Sequence, residues 1–256
     1  DFISFTDANF GIFPERDMSI ANKLVEVQTK YDNPKAYTMT WAKNQKKEVV
    51  DIVKVLTSGS GSKIGLNLSV QTMDEHTLEV IKRKNLDTNR IEEVFALCEE
   101  NGIPLHTELI LGLPGQTLET WKKDFHILYK AGNHTGIAIY QAQLLENAEM
   151  SLTQREEYQL EGRVVYDYLV GAYNDNELSE GIEVIFSTRD LPTDVMVEAQ
   201  MYSWSQNTFH INGITPYISF IKSIMKHTDV ILPILPNISN MEFHSLLDSW
   251  KDNICF

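Results

Sequence analysis

A carboxylate lies in the middle of an apolar stretch that ends in a Gly/Pro turn. The stretch runs from His106 to Thr117 as His-Thr-Glu-Leu-Ile-Leu-Gly-Leu-Pro-Gly-Gln-Thr. Alternate side chains of a strand point to opposite faces, so Glu108, Ile110 and Gly112 share one face. A charge on a buried strand needs a partner, and glycine leaves room beside the backbone. The pattern therefore predicts a cavity wall that binds a polar ligand. Two structural explanations stay open: Glu108 could pair with a lysine or arginine, and the glycines could serve only the turn.

A second strand, over residues 63–72, repeats this one-sided polarity. Asn67, Ser69 and Gln71 share one face, and aliphatic residues occupy the other. Parallel strands covered by helices on both faces are apolar throughout, and the inside of a closed barrel is apolar too. The pattern therefore favours a curved, incomplete barrel whose polar faces line a lumen. Ser69 and Gln71 could instead cap a helix or bridge two strands.

Five strand-then-helix units must position these residues. The predicted strands are 2–6, 36–41, 63–70, 105–113 and 136–143. Helices are predicted to begin near residues 16, 45, 74 and 117, with a second piece over 88–101. Repeated βα units predict parallel strands with right-handed crossovers, and ligands bind at the carboxyl ends of such strands. Asp7 and Asn9 lie just beyond the first strand, although Asp7 could instead cap the helix that follows.

The regular alternation of predicted strands and helices ends at about residue 150. Beyond it we predict a helix over 154–173, a strand over 182–186, a helix over 192–210, and helices near 217–226 and 240–252. The predicted fold class is α/β. Residues 1–150 form a partial TIM-like (β/α) barrel of about five to six parallel strands, and 151–256 form a mainly helical extension.

Composition restricts the partners and the compartment. The 256 residues carry a net charge of −14, which disfavours a nucleic-acid partner. The longest apolar runs are too short to span a bilayer, so no membrane partner is expected. The two cysteines, Cys98 and Cys255, form no disulfide framework. We therefore expect a cytoplasmic protein.

Three of these motifs together resemble the radical S-adenosylmethionine (SAM) superfamily, in the branch that carries a cobalamin-binding domain. Residues 108–117 resemble its fifth-strand motif, which passes the adenine of SAM. The segment Ser69-Val-Gln-Thr72 resembles the fourth-strand motif that contacts the ribose or carboxylate. Residues 6–11 resemble the end of the second strand, which meets the methionine amine, with Asp7 and Asn9 replacing the commoner Gly-Gly-Glu.

Two further segments extend the resemblance. Tyr140 and Gln141 stand where the sixth strand offers backbone contacts to adenine, and residues 187–213 resemble the tail of the cobalamin-dependent branch. The resemblance implies that Glu108 accepts a hydrogen bond from SAM and that Gly112 admits the adenine. The implied SAM-binding residues are Asp7, Asn9, Ser69, Gln71, Glu108, Ile110, Gly112, Tyr140 and Gln141.

The sequence does not contain ligands for all of the cofactors that the resemblance implies. Radical SAM enzymes hold a [4Fe-4S] cluster on cysteines spaced CxxxCxxC, and no such triplet occurs here. Cys98 is expected to be a small buried hydrophobe. We therefore expect the chain to be a piece of a longer protein, with the cluster ligands and a cobalamin domain upstream. By itself it is expected to bind no metal and to be inactive.

The function implied by the resemblance is the SAM-binding barrel of a radical SAM enzyme. Such an enzyme performs methyl transfer or related radical chemistry, here on an unknown small molecule or peptide. Two other classes stay open. One is a non-catalytic SAM-barrel binding domain, and the other is a barrel hydrolase that uses Asp7 and Glu108 as a carboxylate pair. The sequence names no catalytic residue.

Overall fold

Five short strands alternate with helices in the first part of the chain. The computed structural model describes residues 2–7, 9–42, 47–60, 65–84, 88–134, 136–166 and 181–211. The strands are β1 (Phe2–Ser4), β2 (Ala36–Thr38), β3 (Leu66–Gln71), β4 (Leu105–Leu111) and β5 (Ile137–Gln141). The helices are α1 (Pro14–Tyr31), α2 (Lys47–Ser60), α3 (Glu75–Val80), α4 (Thr88–Glu100) and α5 (Leu118–Lys130). All five predicted strands are present, each shorter than predicted.

The strands form two separate small sheets. β1 pairs with β2 in parallel, and a second sheet has the order β3-β4-β5. β3 runs parallel to β4, with Ser69 opposite Glu108, and its register shifts between Ser69 and Gln71. The mixed α/β fold with parallel strands is thus confirmed. Within the described ranges the strands do not close into a barrel.

β3 and β4 are apolar on one face only. Leu66, Leu68 and Val70 of β3 are at most 3% exposed, and so are Leu109 and Leu111 of β4. The alternate residues of both strands are half-buried or exposed, apart from Gln71 at the end of β3. The predicted one-sided polarity of these strands is therefore present in the folded chain.

The later part contains an antiparallel pair that the sequence did not predict. Its elements are a π-helical turn (Met150–Gln154), α6 (Arg155–Glu157), β6 (Glu161–Tyr166), β7 (Gly181–Ser187), α7 (Thr193–Ser205) and a second π-helical turn (Gln206–Ile211). The predicted helix over 154–173 is wrong at residues 161–166, because Val164 and Val165 stand in a ladder with β7. The predictions for 182–186 and 192–210 are confirmed. The helices predicted near 217–226 and 240–252 lie outside the described residues.

The chain divides into two compact units. The first contains residues 1–73, 83–109 and 127–140, and the second contains 74–82, 110–126 and 141–256. In the first unit α1 packs on α2. In the second unit Trp121 of α5 is fully buried, and its indole nitrogen donates to the carbonyl oxygen of Ala199 in α7. None of the helices in the described ranges has both the length and the apolarity needed to cross a membrane.

Candidate functional site

Glu108 is the centre of a polar cluster on β3 and β4. Its Oε1 accepts a hydrogen bond from Asn67 Nδ2 at 2.5 Å, and its Oε2 accepts one from Ser69 Oγ. The parallel register creates the cluster, because it sets Ser69 directly opposite Glu108. All three side chains are half-buried. Both partners are neutral, so the hydrogen bonds hold the carboxylate in place without neutralising its charge. Among the described residues, the partners of Glu108 are Asn67 and Ser69 rather than a lysine or arginine.

The end of β3 adds a cation to this part of the chain. Gln71 has a φ of 60°, in the left-handed region that non-glycine residues rarely adopt. Arg83 Nη1 donates to Gln71 Oε1 at 3.0 Å, and the arginine side chain is otherwise exposed. A strained backbone held by a side-chain contact is typical of functional sites. Sequence reasoning missed Arg83, and the only signal was that a single short helix separates it from Gln71.

Asp7 and Asn9 lie in the loop after β1, where both oxygens of Asp7 have partners. Oδ1 accepts from the Asn9 backbone N–H at 2.9 Å, and Oδ2 accepts from Arg16 Nη2 at 3.1 Å. Arg16 Nε also donates to Asp17 at 2.6 Å, and this bond raises the pKa of the guanidinium. The N-cap residue of α1 is Phe13, so Asp7 does not cap this helix.

Asp17 fixes the shape of that loop. Its side chain is fully buried, and Oδ2 accepts from the backbone N–H groups of Gly11 at 2.7 Å and Phe13 at 3.3 Å. The carboxylate reaches back to the N-cap residue, as an acidic residue of the first turn does in a capping box. The sequence pattern that predicted a helix start near Arg16 gave no sign of this role.

Gly112 ends β4 with a φ of 92°. A Cβ on this residue would lie 3.0 Å from Gln141 Nε2 and 3.4 Å from Met196 Cε. The missing side chain thus makes room for protein atoms, and the adenine contact that the resemblance places at Gly112 stays a prediction. Gly115, with a φ of 81°, completes the turn that precedes α5. The interpretation of these glycines as turn residues is therefore supported.

The remaining candidates, Ile110, Tyr140 and Gln141, differ in their exposure. Ile110 is half-buried, and Tyr140 is 45% exposed. The side chain of Gln141 is committed to the protein, because its Nε2 donates to the carbonyl oxygen of Ile185 at 2.6 Å and its Oε1 accepts from Gln200 Nε2 at 2.9 Å. The backbone contact to adenine that the resemblance assigns to this residue does not need its side chain and stays a prediction.

Few of the nine predicted site residues contact one another directly. Glu108 and Ser69 are bonded to each other, Asp7 is bonded to Asn9, and the Gly112 position packs against Gln141. Asp7 and Glu108 have separate partners, so the structure adds no contact in favour of a paired-carboxylate hydrolase.

A metal centre is not evident in the described part of the chain. Across those residues, no group of at least three histidine, cysteine or acidic side chains could hold a metal ion. Cys98 is 1% exposed, and burial raises the pKa of its thiol to about 11. Metals and clusters bind thiolates, so this residue is a buried hydrophobe, as predicted.

Comparison with known proteins places this geometry in a family context. No protein-family model matches the chain. Over 214 residues, or 83% of its length, it is 31% identical to the cobalamin-dependent radical SAM methyltransferase TokK of Streptomyces tokunonensis. The chain is a relative of the cobalamin-dependent radical SAM methyltransferases. It is also 28% identical, over 214 residues, to the 2-(S-pantetheinyl)-carbapenam-3-carboxylate methyltransferase of Streptantibioticus cattleyicolor. It spans 31% of the length of each of these two relatives.

A solved structure with a similar fold supports this relationship at the level of architecture. The radical SAM methyltransferase TsrM of Kitasatospora setae, solved with tryptophan and a SAM analogue, superposes with a TM-score of 0.55. The match covers 79% of this chain and 42% of TsrM, at 15% identity. At that identity the likeness concerns the fold alone.

Proposed function

We propose that this chain supplies the SAM-binding surface of a cobalamin-dependent radical SAM methyltransferase. The observation that carries the proposal is the polar cluster of Glu108, Asn67 and Ser69 on an accessible strand face. A carboxylate held by two neutral donors keeps lone pairs for a third, external donor, because an ionised carboxylate offers about four acceptor positions. The ribose hydroxyls of SAM are donors of this kind.

The charged end of SAM is proposed to lie near Gln71 and Arg83. A guanidinium carries five N–H donors, and only Nη1 of Arg83 is used in the contact with Gln71. The remaining donors match a carboxylate, which arginine can bind in a bidentate manner. Asp7 or Asn9 stays our proposal for the methionine amine, with the Arg16 ion pair holding Asp7 in place. Tyr140, Gln141 and Ile110 are proposed to border the adenine.

When bound, SAM supplies the transferable methyl group and, on one-electron cleavage, a 5′-deoxyadenosyl radical. The residues of this chain bind and orient the cofactor. They do not fit an iron-sulfur cluster, because the sequence has only two cysteines and Cys98 is buried. We propose that the cluster and the cobalamin are held by other parts of a longer protein, since the chain spans 31% of its relatives.

The architecture we propose is the one predicted from the strand pattern. Residues 1–150 supply a partial barrel, and residues 151–256 supply a mainly helical extension. The parallel strands and the fold of TsrM support this proposal. The substrate is proposed to be a small molecule or peptide, and the protein to act in the cytoplasm.

The proposal is tested by titrating the 256-residue chain calorimetrically with SAM. We expect saturable binding at one site. Replacing the carboxylate by an amide in Glu108→Gln is expected to weaken binding about tenfold, because a hydrogen bond to a charged group is lost. The matched control is Glu92→Gln on α4, an exposed carboxylate outside the cluster. It should leave the affinity unchanged.

Two outcomes would contradict the proposal. The first is an absence of SAM binding by the folded wild-type chain. The second is an equal affinity of the wild type and Glu108→Gln with unchanged stoichiometry, since a ligand that lies on the polar cluster must sense the loss of charge.

A further inference from the structure

Gln116 is a fully buried amide with both of its polar atoms bonded to the backbone at the end of β4. Its Oε1 accepts from the Gly112 N–H at 2.8 Å, and its Nε2 donates to the Ile110 carbonyl oxygen at 3.2 Å. Leu111, between these two residues, is bonded to the other side of the strand. Its carbonyl oxygen accepts a hydrogen bond from the N–H of Ala142, the residue after β5, at 2.8 Å. Backbone groups of successive strand residues alternate between the two edges of a strand. Gln116 therefore serves the edge opposite to Ala142.

At Ile110 and Gly112, no strand within the described ranges pairs with that edge. The register of β3 against β4 ends at the pair Gln71 and Leu109, so no residue of β3 stands opposite Ile110 or Gly112. An amide side chain has a donor and an acceptor, as a peptide group does. Gln116 thus takes the place of the missing strand neighbour, and an apolar residue would leave two backbone groups unpaired.

We infer that Gln116 is a positioning residue for SAM binding. It fixes the last residues of β4, where Gly112 has its left-handed conformation, although the buried amide itself offers no free surface to a ligand. The inference rests on the proposed function, because it assumes that the end of β4 borders the cofactor. It goes beyond that function because it assigns part of the affinity for SAM to Gln116, a side chain that does not contact SAM.

The test is calorimetric titration of three variants of the whole chain with SAM, reading the dissociation constant and the stoichiometry separately. Gln116→Met removes both hydrogen bonds at similar volume and is expected to raise the dissociation constant about tenfold with unchanged stoichiometry. Gln116→Glu keeps the acceptor for Gly112 and is expected to stay closer to the wild type. Gln154→Met, the control, removes another amide that donates to a backbone carbonyl, that of Val80, and should leave the constant unchanged.

A structural role alone would give a different result. Destabilisation lowers the fraction of folded chain, and hence the stoichiometry, but leaves the dissociation constant of the folded fraction as it was. A lowered stoichiometry with an unchanged dissociation constant for Gln116→Met overturns the inference, and so does a wild-type affinity in all variants. Neither result affects the proposed function. If Gln116→Met does not fold, an affinity of Gln116→Glu between wild type and no binding supports the inference, and a wild-type affinity overturns it. No binding by the wild type overturns both proposals.

Discussion

Glu108 combines two properties that a binding carboxylate needs: it is fixed by hydrogen bonds, and both of the donors are neutral. Asn67 and Ser69 hold one oxygen each, which restricts the side chain without supplying a counter-charge. A cation in their place would form an ion pair and leave less of the negative charge for a ligand. Half-exposure keeps the cost of desolvation moderate, since a fully buried carboxylate would require a charged partner.

Part of this arrangement could be predicted from the sequence. The period of two placed Glu108 and Ser69 on the polar faces of their strands. It did not predict that they bond directly, because the register between two parallel strands is set by the whole sheet and not by either strand. Arg83 escaped prediction for a similar reason: its contact with Gln71 depends on how α3 returns the chain to the end of β3.

Arg83 gives the sharpest prediction at the residue scale. Arg83→Met should weaken SAM binding about tenfold, because the guanidinium no longer binds the carboxylate of the methionine part. The affinity for 5′-methylthioadenosine, which lacks that carboxylate, should not change. Calorimetry with both ligands measures the difference.

The matched control for this variant is Arg90→Met, which removes an arginine that pairs with Glu93 on α4. Equal losses of affinity for SAM and 5′-methylthioadenosine in Arg83→Met would count against a carboxylate contact. A loss of the same size in Arg90→Met would point to a general effect of net charge.

At the scale of elements, the sequence was most informative where the hydrophobic period was regular. β3 and β4 alternate cleanly, and both were found. The helix over 154–173 was predicted from apolar residues at helical spacing, of which Val165 lies in the segment that forms β6. The choice of a strand is made by long-range pairing with β7, in which Val164 and Val165 face Glu183 and Ile182. Short apolar runs are ambiguous between helix and strand until such a partner is known.

The packing of α5 on α7 allows a stability prediction in the second unit. Trp121→Phe should lower the free energy of unfolding by about 2 kcal/mol, because it removes buried volume and the hydrogen bonds from the indole N–H. The bond to Ser203 Oγ is 3.0 Å long, and the ring packs edge-on against Phe125. Urea unfolding measures the change.

Trp204→Phe is the control for this prediction, since Trp204 is 41% exposed on the same helix as Ser203. It should change the free energy by less than about 0.5 kcal/mol, as exposed substitutions usually do. A loss of similar size in both variants would mean that the buried indole contributes no more to the free energy of unfolding than the exposed one.

At the scale of the whole molecule, the chain contains the strand face that we propose for SAM binding, but not the cysteine triplet that a cluster needs. The face carries the hydrogen-bonded Glu108, and the sequence has two cysteines. The chain spans 31% of the length of its two curated relatives. The fold class could be predicted because repeated βα units dictate parallel strands. The division into two compact units could not, because each unit gathers separate stretches of sequence.

The most direct measurement of the central claim is a crystal structure of the chain with SAM bound. The account predicts a ribose hydroxyl within about 3 Å of a Glu108 carboxylate oxygen and the methionine carboxylate against Arg83. SAM bound at another place, with Glu108 bonded only to Asn67 and Ser69, would contradict it.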